Sequence, residues 1–303
     1  MLGSGFGAIA PKHWLLGAAV VLAGLAGYVV GSTPPAVAAG HPRSVSSENG
    51  SARAPAKVAS TRGLEPGGLL TIPATTIRRQ PHAMDLLSAT QVAELVIRAP
   101  EQLGCASIGK PNRGKLLNGI RLEPSVGVYV VEGASSYGTE ETIRSIEAAV
   151  RVVLERYPDS PSLPIGDISR KGGGYLKPHR SHQSGLDVDV AYYYRDGSPW
   201  YTLATEDNLD LARTWTLLKA FVARGNVQYV FMDRSIQRWL RQYAETTGEP
   251  SELLETLFEA PSKADTIVRH RHRHRSHFHV RFHDPAAEEA GRRLLPHLNR
   301  LKR

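Results

Sequence analysis

The sequence predicts an α+β domain in which a small antiparallel sheet is flanked by helices. Apolar residues recur at helical spacing over 139–157 and 208–223. Over 186–193 and 277–282 they instead alternate with polar residues, which is the period of a half-buried strand. This mixture of segments is typical of α+β domains with an antiparallel sheet.

The elements follow one another from about residue 81. The first predicted helix spans 86–99, with Ser88 or Thr90 near its start, and a β-branched strand follows at 126–131. Apolar residues share one face of the helix predicted over 139–157. The later predicted elements are strands at 186–193, 227–231 and 277–282 and helices at 208–223 and 235–244.

Composition and charge limit the class of protein. The chain has 303 residues, of which 22% are charged and 41% hydrophobic, as in ordinary globular proteins. The formal net charge of +8 favours anionic partners such as nucleic acid, acidic lipid headgroups or an acidic cell-wall polymer. The net charge by itself does not distinguish among these partners.

The N-terminal part is predicted to export the chain. Residues 14–30 are apolar and uncharged, which predicts a signal peptide or membrane anchor over 1–31. A buried core helix is less favoured, since the segment has no polar face. Residues 32–80 are rich in Ser, Pro, Ala, Gly and Arg and are predicted to be a flexible linker. Residues 81–303 are then the folded domain, outside the cytoplasm.

The single cysteine, Cys105, cannot form an internal disulfide. Its apolar neighbours Leu103 and Ile108 favour a core residue over a nucleophile, because free cysteines behave mainly as small hydrophobic residues.

The first polar cluster occupies residues 178–190. Asp187 and Asp189 lie two apart on a predicted strand and therefore share a face, while the aliphatic residues between them take the other. We expect the carboxylate face to open onto water or a cation, because an unpaired buried carboxylate is costly. His182 precedes a Ser-Gly turn that could bring its imidazole back over this strand.

The second cluster occupies residues 274–284. His277, His279 and Arg281 share one face of a predicted strand whose other face is apolar. Two imidazoles and a carboxylate, one from each of His182, Asp189 and His279, suit zinc and leave a fourth position open. Such an open site is typical of a catalytic zinc, so the sheet is predicted to carry Zn²⁺.

Alternating His and Arg residues at 269–275 leave other interpretations open. The run could be a basic loop, a nucleic-acid patch or an adventitious metal binder. Short motifs alone are weak evidence. The first cluster strengthens the metal interpretation, and predicted export argues against a nucleic-acid partner.

The two clusters resemble known motifs. Ser181 to Asp189 resembles the His-x6-Asp zinc motif of the lysostaphin / D-Ala-D-Ala metallopeptidase superfamily, and His277 to His279 resembles its His-x-His partner. The penicillin-insensitive murein endopeptidase family is the closer match, with similar GHxSHQxGLDxD and HxxHFHVR blocks. Segments 107–114 and 166–169 are also similar to that family, and the resemblance covers roughly 103–284. Pro178 departs from the family's usual Gly.

This resemblance implies roles for individual residues and the D-Ala-D-Ala metallopeptidase fold. His277 would be a general base or oxyanion stabiliser, and His274 a further active-site histidine. His179 would bind a second metal ion or support the first. For Asp187, three roles stay open: orienting a ligand histidine, binding a substrate amine, or being a solvated carboxylate. The implied zinc ligands are His182, Asp189 and His279.

The implied activity is hydrolysis of D-alanyl–meso-diaminopimelyl crosslinks in peptidoglycan. The implied location is the periplasm, where residues 1–31 could anchor the chain to the inner membrane. Two alternatives stay open: a D,D-carboxypeptidase or dipeptidase with the same zinc site, and a non-catalytic wall- or zinc-binding module.

Overall fold

A computed structural model describes residues 79–258 and 266–301. The predicted signal peptide or membrane anchor, and all but the last two residues of the predicted linker, lie outside this part of the chain. None of the helices described within it has the length and apolar character needed to cross a membrane.

The described residues form helices and strands in mixed order. The helices are α1 Ala89–Arg98, α2 Glu140–Arg156, α3 Leu211–Ala223, α4 Arg234–Thr246, α5 Ser251–Phe258 and α6 Pro285–Arg300. The strands are β1 Ala106–Lys110, β2 Arg113–Leu117, β3 Ile120–Arg121, β4 Val128–Val130, β5 Tyr137–Gly138, β6 Leu163–Ile165, β7 Asp187–Ala191, β8 Val227–Met232, β9 Val268–His270 and β10 His277–Phe282.

The main sheet has six strands in the order β4-β6-β7-β10-β8-β9. Its central pairs β6–β7, β7–β10 and β10–β8 are antiparallel, as predicted. The outer pairs β4–β6 and β8–β9 are parallel, which the sequence patterns did not indicate. The predicted α+β class with a small sheet flanked by helices is confirmed.

One face of this sheet builds the main core. The alternating apolar residues of β7 and β10 are buried, and they join apolar residues of α2, α3, α4 and α5 in one cluster. The opposite face of the same strands carries Asp187, Asp189, His277 and His279. The apolar pattern therefore turns the polar pattern of both strands toward one side of the sheet.

Helix starts are stabilised by side-chain caps. Ser88 and Gln91 form a reciprocal capping box at α1, and the Thr139 side chain accepts a hydrogen bond from Thr142 N at α2. Asp210 caps α3 and Asp233 caps α4 in the same way. These short polar residues explain why the predicted helix boundaries lie within a few residues of the observed ones.

A second, smaller core forms where α6 packs on β1. Gly291 of α6 makes this close approach possible, because a Cβ at that position would lie 1.8 Å from the Ser107 carbonyl oxygen. We expect Gly291→Ala to lower the free energy of unfolding by about 1–3 kcal/mol, the usual cost of overpacking. Urea unfolding monitored by circular dichroism measures this change. Arg292→Ala, on the exposed side of the same helix, is the control, and equal stability of both variants would contradict the packing.

Cys105 is half-buried beside the smaller core. Burial raises the pKa of its thiol to about 12. At pH 8 only about one thiol in ten thousand is then the reactive thiolate. We expect Ellman's reagent to modify the native protein far more slowly than the urea-unfolded protein. Equal rates in the two states would show that the thiol is not held in this environment.

Candidate active site

Strand register places the predicted site residues opposite one another. His279 of β10 is the direct partner of Asp189 of β7, and Arg281 is the direct partner of Asp187. Directly paired residues on one face of an antiparallel pair have Cβ atoms about 4.5–5.5 Å apart, within reach of each other's side chains. Each acidic residue of β7 thus meets a basic residue of β10.

His182 reaches the same place from the loop before β7. Its backbone is in the left-handed region, with φ of 62°, and its N–H donates to Asp187 Oδ2 at 2.9 Å. Its Nδ1 lies 3.1 Å from the Ile168 carbonyl oxygen. A carbonyl only accepts, so Nδ1 carries the proton and Nε2 presents a lone pair.

The three predicted ligands converge on one point. His279 Nδ1 lies 3.0 Å from Asp189 Oδ1 and 3.1 Å from His182 Nε2, and His182 Nε2 lies 3.4 Å from Asp189 Oδ1. Tetrahedral zinc with bonds of about 2.0–2.2 Å needs donor atoms about 3.3–3.6 Å apart. The donor types suit a metal ion such as zinc; the His182–Asp189 separation of 3.4 Å lies in this range, and the two separations from His279 Nδ1 are 0.2–0.3 Å shorter than its lower limit.

His179 also belongs to this centre. His179, His182 and Asp189 offer donor atoms within 4.8 Å of one another, so this group could hold a metal ion. The Nε2 of His179 lies 2.7 Å from Asp167 Oδ2, and its Nδ1 lies 3.7 Å from Asp189 Oδ2. Asp167 thus holds the imidazole with its other nitrogen toward the centre.

Asp187 is fully buried behind the centre. Its Oδ1 lies 3.0 Å from His279 Nε2 and 2.6 Å from Arg281 Nε. Burial alone would raise the pKa of Asp187, but the contacts with His279 and Arg281 hold it well below its usual range. Since the carboxylate accepts from His279 Nε2–H, Nδ1 of His279 faces Asp189 and His182, and it offers a lone pair to a metal once its own proton has left.

The carboxylate face was expected to open onto water or a cation, and it does not open onto water. Asp187 is 0% and Asp189 4% exposed, so neither is solvated. Their charge is balanced by neighbouring imidazoles and a guanidinium instead. This burial leaves Asp187 no surface on which to meet a substrate amine, and its contacts favour the role of orienting His279.

The same contacts act on His279. Burial lowers the pKa of this imidazole, but the hydrogen bonds to Asp187 and Asp189 outweigh burial and raise it to about 9. Burial raises the pKa of Asp189, and the charges of His182 and His279 nevertheless hold it well below its ordinary value.

His277 lies at the edge of the centre. Its Nε2 is 4.0 Å from Asp189 Oδ2, and its ring stacks on Tyr201 with 5.4 Å between centroids. Its Nδ1 lies 3.1 Å from Ser276 Oγ. Burial lowers the pKa of His277, which favours the neutral imidazole near pH 7.

His274 lies beside His277, with 4.9 Å between ring centroids. Its Nδ1 donates to the His272 carbonyl oxygen at 2.9 Å, which leaves Nε2 as an acceptor. Burial lowers the pKa of His274 to about 4. The structure thus brings both predicted catalytic histidines to the predicted metal ligands.

Three neighbours of the site were not predicted as site residues. Asp167 holds His179, Tyr201 stacks on His277, and Phe231 packs on His279 with 5.6 Å between ring centroids. Segment 166–169 was already similar to the family and could have indicated Asp167. No sequence signal marks Tyr201 or Phe231.

Comparison with known proteins assigns the chain to a family. The model of the penicillin-insensitive murein endopeptidase family matches residues 107–296, a segment that contains both polar clusters and β6 to β10. A search of curated proteins found no match. The family match spans more than half of the chain and agrees with the motifs at the site. The chain therefore belongs to the penicillin-insensitive murein endopeptidase family.

Proposed function

We propose that this peptidase is a zinc-dependent murein endopeptidase that hydrolyses D-alanyl–meso-diaminopimelyl crosslinks of peptidoglycan. The observation that carries the proposal is the convergence of His182 Nε2, Asp189 Oδ1 and His279 Nδ1, with 3.0–3.4 Å between them. Family membership supports the peptidase activity and the polymer on which it acts.

His182, Asp189 and His279 would hold the ion. Zinc at such a site lowers the pKa of a water toward neutrality and polarises the carbonyl of the scissile bond. Two of the supporting contacts come from Ile168 and Asp187, which fix the lone pairs of the two imidazoles toward the centre. We assign His179 to completing the ligand set or supporting it, because its Nδ1 lies 3.7 Å from Asp189 Oδ2.

His277 is the residue we assign to proton transfer. Its imidazole lies beside Asp189, is 7% exposed and favours the neutral form, so it can accept the proton of an attacking water. The same imidazole can then donate that proton to the leaving amine. Tyr201 stacks on the ring, and His274 lies beside it with 4.9 Å between ring centroids.

We also propose that the protein acts in the periplasm. The apolar segment at residues 14–30 supports export, and inner-membrane anchoring would follow if this segment is retained. A crosslink in the cell wall is reachable only from outside the cytoplasm. Fractionation of cells that express the full chain, with and without residues 1–31, tests this location.

Mass spectrometry of digestion products tests the bond specificity. Zinc-loaded protein should convert purified crosslinked muropeptide dimers to monomers without removing terminal D-alanine. Loss of D-alanine from pentapeptide monomers, with dimers left intact, would indicate a D,D-carboxypeptidase instead. Intact dimers and intact pentapeptides would favour a non-catalytic module.

A further inference from the structure

The His and Arg run at 269–275 begins on the edge strand of the main sheet. Strand β9 pairs in parallel with β8, and Arg269 is the direct partner of Phe231. Phe231 is in turn the partner of His279, which is the partner of Asp189. One cross-strand row therefore leads from the candidate metal centre to the sheet edge, over about 14 Å at about 4.8 Å per strand.

Two aromatic rings of β8 lie on the same face of the sheet as this row. Val230 and Met232 of β8 are in the core, so Tyr229 and Phe231 lie on the face that carries the site. Their rings contact each other with 4.5 Å between centroids. Both rings are half-buried, which leaves part of their surface accessible beside His279.

Three guanidinium groups lie over these rings. The Cζ atoms of Arg269 and Arg281 are each 5.0 Å from the centre of the Tyr229 ring, and Arg271 Cζ is 4.8 Å from that of Phe231. Such stacking orients a guanidinium while its N–H groups can still donate to carboxylates. We call these five residues the arginine track.

We propose that the arginine track binds the carboxylates of the peptidoglycan stem peptide while its crosslink lies at the metal centre. This inference rests on the proposed function and adds the subsite that selects an anionic peptide. The track is continuous with the site on one face of the sheet. A stem peptide carries free carboxylates, and at about 3.3 Å per extended residue a few residues span the row.

The position of the track favours a peptide over a lipid surface or a nucleic acid. Arg269 lies in the row that contains Asp189 and His279, and Arg281 lies in the adjacent row opposite Tyr229. Arg271 stacks on Phe231, the direct partner of His279, so a ligand on the track also meets the centre. Arg281 is tied to the buried Asp187, and Arg269 Nε donates to the Thr266 carbonyl oxygen at 3.0 Å. Arg271 is exposed, which makes it the residue to test.

The test measures binding separately from cleavage. Uncrosslinked disaccharide-tetrapeptide monomer, which has no crosslink to hydrolyse, is titrated calorimetrically into the zinc-loaded full chain. A second monomer has its carboxylates amidated. Wild type should bind the free acid about two- to fivefold more tightly at low salt, the range for an exposed ion pair. Arg271→Gln should lose this preference, and Arg271→Lys should retain part of it.

Arg151→Gln is the matched control, because it removes one exposed charge from α2. It should bind both monomers as wild type does. Equal binding of both monomers by wild type, or an unchanged preference in Arg271→Gln, would contradict the proposal that the track binds carboxylates. Tighter binding of anionic lipid vesicles or single-stranded DNA than of the free-acid monomer, lost in Arg271→Gln, would also overturn it.

Dimer digestion in parallel separates this inference from the proposed function. If wild type cleaves dimers but Arg271→Gln keeps the carboxylate preference, the proposed role of the track is wrong and the proposed endopeptidase activity is supported. If dimers stay intact while the preference is present and depends on Arg271, the track binds anionic peptide and the endopeptidase activity is wrong.

Discussion

His279→Ala is expected to abolish hydrolysis of crosslinked dimers. The substitution removes the donor atom that lies 3.0 Å from Asp189 Oδ1 and 3.1 Å from His182 Nε2. It also leaves the buried Asp187 without one of its two basic partners. Since a catalytic metal contributes several kcal/mol, we expect kcat/KM to fall by at least about a thousandfold.

Metal analysis of the same variant separates loss of zinc from loss of structure. We expect His279→Ala to retain less zinc than wild type after dialysis while its circular dichroism spectrum is kept. His272→Ala, an exposed histidine in the nearby His and Arg run, is the matched control and should keep both zinc and activity. Full zinc content with full activity in His279→Ala would remove this residue from the ligand set.

Substitution of Asp187 should weaken both the metal site and the fold. Asp187→Asn keeps the shape of the side chain but loses the charge that orients His279. We expect zinc affinity to fall about 10–100-fold, the usual effect of removing a residue that supports a metal ligand. Competition with a chromophoric chelator measures this affinity.

Asp187→Ala should be the more damaging change. It leaves the guanidinium of Arg281 beside the core without its buried partner, which typically costs about 3–5 kcal/mol. Chemical unfolding measures the loss. Asp159→Asn is the control, because its ion pair with Arg213 involves a carboxylate that is 81% exposed and should be worth less than about 1 kcal/mol. Equal stability losses in Asp187→Ala and Asp159→Asn would contradict the buried network.

The alternation of apolar and polar residues along each strand predicted which residues lie on the same face of the sheet as the site. The alternation at 186–193 and 277–282 placed Asp187, Asp189, His277 and His279 correctly on the side away from the core. This alternation does not specify the register, since two strands can pair in several registers that leave each side chain on the same face of the sheet. The direct pairing of His279 with Asp189 depends on long-range packing, which the local sequence pattern does not predict.

Other features had weak local signals. Helix α6 was not predicted, because its buried face consists mainly of alanine and glycine and Pro296 interrupts its pattern. Asp284 at its N-cap followed by Pro285 was the signal that could have located it. The contact between Asp167 and His179 depends on the folding of the intervening loop, so residue spacing could not predict it.

Addition of zinc to metal-depleted protein tests the central claim most directly. The full chain is treated with a chelator, dialysed and assayed for conversion of crosslinked dimers to monomers as zinc is added back. The three-ligand centre predicts no conversion without metal, recovery on addition of zinc, and no recovery in His279→Ala. Full conversion by the metal-depleted protein, or intact dimers after zinc is restored, would contradict it.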